Sequence, residues 1–229
     1  MLSLTATAQD SINVADIVSR SSVQRLKDGT RVYPDSVIYQ GLNIKLDLAT
    51  SILELVRSKG KVQSYEMSLN CRLKQRYYPT FEFGYAQADI TADGGHHKGK
   101  GAFVRLGADI NGLKKHPERL NALLVGVRIA TALQRFSMTD IRVNSPYWDA
   151  GQPYLFDYDP RFKFDAWGEI CVGAQVQVWE GLQMGWSLRM KILITRTDKN
   201  NGPLPAYIPG FGYRDDTNWG INYYIGYHF

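Results

Sequence analysis

Four histidines and two cysteines carry most of the catalytic and metal-binding potential of this 229-residue sequence. His96 and His97 lie in the Gly-rich stretch Asp93-Gly-Gly-His-His-Lys-Gly-Lys100, with no Ser or Cys close by in sequence. Hydrolysis or acyl transfer needs a nucleophile, a base and an orienting acid held together, so the stretch is expected to be a solvated loop and not a catalytic one. Adjacent histidines on an extended chain point apart, and the i, i+4 spacing of a helical zinc site is absent, so no metal is expected there. His116 falls in an expected short turn and His228 is the last residue but one, both at the end away from the long connections. Cys71 and Cys171 allow at most one disulfide, and their strand phases put them on opposite faces of a wall. The acidic positions Asp149, Asp157, Asp159, Asp215 and Asp216 lack the Gly turn and terminal Glu of a calcium loop. The sequence therefore points to no catalytic residue, no metal and no cofactor, and the enzyme expectation is negative.

The elements that would position these residues are strands. At the C-terminus, Trp219, Ile221, Tyr223, Ile225, Tyr227 and Phe229 alternate with Asn218, Gly220, Asn222, Tyr224, Gly226 and His228, a period of two to the last residue. Seven earlier stretches alternate in the same way, at about 41–49, 65–73, 81–85, 101–111, 121–135, 166–179 and 182–195. One parity is consistently apolar, as in Leu123, Val125, Val127 and Ile129 or in Leu182, Met184, Trp186 and Leu188. The other parity carries Gly, Ala, Ser, Asn and Gln together with Lys45, Asp47, Glu66, Arg72, Glu82, Arg105, Asp109, Arg128, Glu169, Arg189 and Lys191.

A water-soluble barrel keeps its interior apolar and its exterior charged. Small polar residues with charges of both signs instead suit a narrow lumen, and charge-free apolar positions suit a lipid-facing wall. The expected fold is all-β, an eight-stranded antiparallel up-and-down transmembrane β-barrel. Buried charges must pair, so the lumen is expected to be a salt-bridge core and not a conducting path. Connection lengths agree: short turns near 75–79, 112–118 and the two-residue Glu180-Gly181 alternate with longer connections near 49–62, 91–100, 137–163 and 197–217. No run of about 18 apolar residues is present to make a membrane helix.

Composition fits this picture, with 14 Tyr, 21 Gly and 21% charged residues. The net charge of +5 is spread without a basic run, which argues against a nucleic-acid partner. Residues 1–8 read as the remnant of a secretory signal ending in Ala6-Thr-Ala8, residues 9–37 as a polar N-terminal periplasmic segment, and 38–229 as the barrel domain. The longest loops are rich in aromatics, and Tyr147, Trp148, Tyr154, Phe156, Tyr158, Tyr207 and Phe211 are candidate surface contacts for protein or glycan, or else a packed lid over the mouth.

The terminal residues Tyr223, Ile225, Tyr227 and Phe229 resemble the C-terminal signal that the barrel-assembly machinery reads on outer-membrane barrels. More widely, the stretches YQGLNIKLDL at 39–48, RYYPTFEFGY at 76–85 and YIPGFGY at 207–213, with the Tyr-rich end, resemble an uncharacterised family of Bacteroidetes outer-membrane barrels of the small OmpA/OmpX-like class. The resemblance implies fold and a place in the outer membrane of a Gram-negative cell, with membrane lipid, the assembly machinery and envelope proteins as partners. It brings no catalytic residues. The expected role is noncatalytic, structural or adaptor or surface-binding; the alternatives are a lipid-modifying or proteolytic barrel enzyme and a soluble ligand-binding barrel.

Overall fold

A computed structural model describes residues 24–25, 31–32, 37–48, 61–74, 76–92, 95–113, 121–143, 154–195 and 204–229. The signal remnant, most of the segment 9–37, His116, Tyr147 and Trp148 lie outside the described residues. The strands are β1 (Gln24–Arg25), β2 (Arg31–Val32), β3 (Tyr39–Asp47), β4 (Val62–Leu73), β5 (Tyr77–Ala92), β6 (Gly95–Asn111), β7 (Ala122–Val143), β8 (Tyr154–Gln177), β9 (Leu182–Leu193), β10 (Tyr207–Ile208), β11 (Gly212–Tyr213) and β12 (Thr217–His228). Strands β3 to β9 and β12 pair antiparallel in chain order and close into a barrel, while β1–β2 and β10–β11 form two separate two-stranded ribbons.

Closure rests on β12 against β3, from Tyr224 opposite Asp47 to His228 opposite Asn43. It is completed where the Phe229 amide donates to the Leu42 carbonyl at 2.9 Å. At the level where all eight strands pair, closure leaves no unpaired edge, and the C-terminal strand supplies the final seam.

Alternation sets the two faces, because successive side chains on a strand point to opposite sides. The inward parity is buried at Asn43, Lys45, Glu66, Glu82, Arg105, Asp109, Arg128, Glu169 and Arg189. The outward parity is exposed at Leu46, Phe81, Leu106, Val127, Ile129, Val172, Trp186 and Ile221. Inward glycines make room for the charged side chains. A β-carbon at Gly126 would stand 2.0 Å from Asp109 Oδ1 and one at Gly107 2.6 Å from Arg128 Cγ. Any other residue there would displace the ion pair that these two charges form. The cysteines also sit on opposite parities, and both are free thiols.

Two expectations about the connections need correction. From Gly95 onward the Gly-rich stretch is not a solvated loop: Gly95–Asn111 is strand, with His96 opposite Thr91 and His97 opposite Ile90. Glycine and lysine there complete the ladder to β5, and His97 turns inward to 2% exposure beside Phe136. The connection expected at 137–163 is likewise mostly strand, because β7 runs for 22 residues and β8 for 24. The expected two-residue hairpin at Glu180-Gly181 is present: Trp179 and Leu182 exchange backbone hydrogen bonds at 3.0 and 3.4 Å, Gly181 takes a positive φ of 73°, and the Val178 amide, donating to the same Leu182 carbonyl, makes a bulge beside the turn.

Strands β5 to β8 therefore rise beyond their neighbours as a four-stranded sheet. The β4 pairing with β5 stops at Val62 opposite Ala88, and the β9 pairing with β8 stops at Trp167 opposite Leu193. On this extension Tyr154 and Phe156 are exposed, their rings tilted at 59° with centres 4.4 Å apart, and Tyr158 is half-buried beneath Arg161.

Of the two readings of the aromatic loops, Tyr207 and Phe211 take the packed lid and not the surface contact, being only 3% and 1% exposed. Residues 204–216 fold back into the mouth of the barrel around the β10–β11 ribbon. Ile208 and Phe211 join Phe103, Ala130, Ala132 and Trp167 in one apolar cluster, with Phe211 edge-on to Trp167 at 5.7 Å. Gly210, at φ 77°, lies flat on the Phe103 ring, where a β-carbon would approach its Cγ to 2.6 Å. The physical reason is the apolar effect: these side chains gain more from the dry cap of the lumen than from water. Replacing Phe211 by Ala removes the largest anchor of this cap, at a cost of about 3–5 kcal/mol for a buried Phe. The expected outcome is faster trypsin cleavage after Arg214, by about one to two orders of magnitude, read by mass spectrometry of timed digests, with the barrel strands still protected.

Candidate functional site

The inward charges named from the sequence meet in one network at mid-barrel. Registers bring them close before any side chain is considered: Glu82 on β5 faces Arg105 on β6, and Arg128 on β7 faces Glu169 on β8, which faces Lys191 on β9. Glu82 is the hub. It takes Arg105 Nη1 at 3.1 Å, Arg128 Nε at 2.8 Å and Arg189 Nη1 at 2.5 Å. Arg105 also reaches Glu66 at 2.5 Å and Glu169 at 2.8 Å, and Arg189 reaches the same two carboxylates at 3.4 Å each. Arg128 holds Asp109 in a two-pronged pair at 2.8 and 2.9 Å, the geometry that a planar guanidinium favours with a carboxylate. All seven side chains are at most 7% exposed.

The remaining charges take other partners. Lys45 sits over the Tyr224 ring at 4.4 Å. Asp47 accepts a hydrogen bond from the Asn222 amide. Arg72 is buried beside the Tyr78 hydroxyl, lower in the lumen. Lys191 leaves the network to donate to the carbonyls of Gly210 at 2.8 Å and Phe211 at 3.2 Å, and Arg105 also donates to Gly210 at 2.8 Å. The network therefore holds the cap down through main-chain oxygens.

Two functional groups were not visible in the sequence. Asp165 is fully buried and accepts from Arg214 at 2.7 Å, pinning the far end of the cap to β8, and Trp167 donates its indole N–H to Glu169 at 2.7 Å. Asp165 does sit on the inward parity of its strand, which was the available signal. Below the network a cavity of about 40 Å³ is lined by Lys45, Asn70, Asp109, Cys171 and Tyr224, room for one or two waters.

One further cluster stands outside the barrel. On the rising part of β5 and β6, His96 places Nδ1 2.8 Å from Thr91 Oγ1 and Nε2 3.1 Å from Asp89 Oδ1. A hydroxyl, an imidazole and a carboxylate are thus aligned, because Thr91 and His96 are direct cross-strand partners and Asp89 lies two residues along β5. The cluster is open to solvent, with Asp89 shared by Lys98 at 3.7 Å. Among the described residues there is no group of three metal-ligating side chains.

Breaking the hub tests what the lumen network contributes. In Glu82→Gln, three guanidinium groups lose their common counter-charge, and removing one partner of a buried ion pair costs about 3–5 kcal/mol. The expected result is a urea midpoint for the folded barrel far below that of the unsubstituted chain, whereas Lys98→Gln, on the open face, leaves it unchanged.

No curated protein matches the chain. Among solved structures it is similar to the crystal structure of Ail, the attachment invasion locus protein of Yersinia pestis, at 9% identity and a TM-score of 0.41, covering 82% of this chain and 98% of Ail. A family profile described as a domain of unknown function, DUF6048, matches residues 1–229, and the chain belongs to that family.

Proposed function

We propose that this chain is a noncatalytic outer-membrane β-barrel with a structural, adaptor or surface-binding role, presenting its β5–β8 sheet beyond the membrane to an envelope or external partner. The observation that carries the reading is the inverted polarity of the wall. Charges fill the lumen, while Leu106, Val127, Ile129, Trp219 and Ile221 stand 55–68% exposed on an outward belt with no charged side chain among them. A water-soluble monomer rarely exposes a contiguous apolar patch above a few hundred Å². In a bilayer the same belt is the favourable surface, and closure satisfies the backbone groups that hydrocarbon leaves without partners. No helix among the described residues is long and apolar enough to cross a membrane, so crossing falls to the strands.

The protruding sheet supports the contact role. Among the described residues, no strand pairs with the second edge of β8 above Trp167, where Tyr154, Leu155, Phe156, Phe162 and Phe164 are exposed. An open edge beside aromatic side chains suits a partner that adds a strand or packs on the face. The second reading, an enzyme of the cell surface, is favoured by the Thr91, His96 and Asp89 alignment. Against it, the cluster is open to solvent, with Asp89 54% exposed and shared with Lys98, whereas stabilising a developing oxyanion calls for donors preorganised in a water-excluded site.

Two measurements test the membrane reading. Full-length protein is expected in the sarkosyl-insoluble envelope fraction, with unboiled and boiled samples running at different positions on a gel; a soluble protein with one mobility contradicts the reading. Val127→Arg places a cation on the outward belt near mid-membrane, and is expected to lower folding stability in lipid by about 2–4 kcal/mol.

A further inference from the structure

Just beyond the apolar belt, the outer wall of β4 to β7 carries a basic pocket of about 420 Å³. Lys61, Lys98, Lys100 and Arg135 line it, together with Gln63, Gln87 and one carboxylate, Asp89. Lys98 shares Asp89 at 3.7 Å, and Arg135 leans over the Phe162 ring at 5.9 Å. Among the described residues, no carboxylate lies within ion-pair distance of Lys61, Lys100 or Arg135. The pocket therefore presents unbalanced positive charge on a wall that is charge-free two residues further down each strand.

Its level is set by the strands. Gln63, Gln87, Lys100 and Arg135 follow one another across the ladder, and the next outward row toward the belt is Tyr65, Tyr85, Ala102 and Leu133. Along β6 the outward belt begins at Ile110. Ten residues at about 3.4 Å each carry Lys100 roughly 34 Å along the strand, and a strand tilt of about 40° turns this into roughly 26 Å of height. The apolar band of such barrels is about 25 Å tall. Lys100 and its neighbours thus stand at the height where hydrocarbon gives way to headgroups.

We propose that this pocket holds the phosphate-bearing headgroup of an outer-leaflet lipid, with Lys61, Lys98, Lys100 and Arg135 on the phosphate and the Tyr65, Tyr85 and Leu133 row against the acyl chains. The inference rests on the membrane-spanning reading above. Charge complementarity and level single out this occupant: each nearby Lys or Arg favours an anionic headgroup by about 1 kcal/mol, and chains from the same lipid cover the belt beneath. The amides of Gln63 and Gln87, joined at 2.8 Å, leave donors for the remaining headgroup oxygens.

The test uses the full chain refolded in detergent micelles supplied with equal amounts of phosphatidic acid and phosphatidylcholine, with bound lipid counted by native mass spectrometry. The unsubstituted chain is expected to retain phosphatidic acid over phosphatidylcholine by about tenfold or more, and K98Q/K100Q/R135Q to lose most of that preference. R76Q/R142Q, which removes two exposed cations elsewhere, is expected to keep it. A compact unboiled gel form with no preference for phosphatidic acid overturns the headgroup site alone. Equal loss in R76Q/R142Q overturns it too, by making the effect one of net charge. Full displacement of the lipid by excess inorganic phosphate reassigns the pocket to a free anion. Failure of every chain to give a heat-modifiable form in micelles would instead overturn the membrane reading beneath it.

Discussion

Seven charged side chains, Glu66, Glu82, Asp109, Glu169, Arg105, Arg128 and Arg189, share one dry level of the lumen, and most of the fold follows from having to pair them. Desolvating each ion is costly, and only close, multiply bonded geometry offsets it. That geometry demands fixed registers, because a slip of one residue on any strand would turn its charge outward. It also demands glycine at positions such as 107 and 126, where the neighbouring arginine and aspartate occupy the space of a side chain. The wall is then left with its apolar parity outside, which water does not favour and a bilayer does.

The same network organises the mouth. Arg105 and Lys191 both reach out of it to the Gly210 carbonyl, and Asp165 holds Arg214 at the other end of the cap. Between these polar anchors, Ile208 and Phe211 complete an apolar cluster with Trp167, whose indole returns a hydrogen bond to Glu169. Cap and lumen are thus one structure, with charge below, aromatic packing above and main-chain oxygens joining them. The proposed contacts with other molecules are assigned to the tall β5–β8 sheet and the basic pocket on its flank.

The strand phases were legible because period-two alternation survives on all eight barrel strands, and a face that carries charge on seven of them, β3 to β9, is paired within a closed lumen. The individual pairings were not legible, since they depend on the register between strands and on side-chain length. The rising strand at 95–100 looked like a loop because glycine and lysine are poor strand formers in isolation; its ladder to β5 overrides that preference. For Tyr207 and Phe211 the sequence left surface contact and packed lid both open, because nothing local distinguishes a loop that folds into a mouth from one that leaves it. Thr91 and His96 both fall within the expected connection at 91–100, and only their cross-strand pairing aligns them with Asp89.

The central claim is that the apolar parity of the wall faces lipid, and β7 tests it most directly. Single spin labels at positions 123, 125, 127 and 129, in a chain whose two native cysteines are replaced, would be measured in bilayers for collision with oxygen, which concentrates in hydrocarbon, and with a water-soluble nickel complex. The account predicts high oxygen and low nickel accessibility at all four positions. Higher nickel than oxygen accessibility at these positions would mean that the belt faces water and that the inside and outside of the barrel have been assigned the wrong way round.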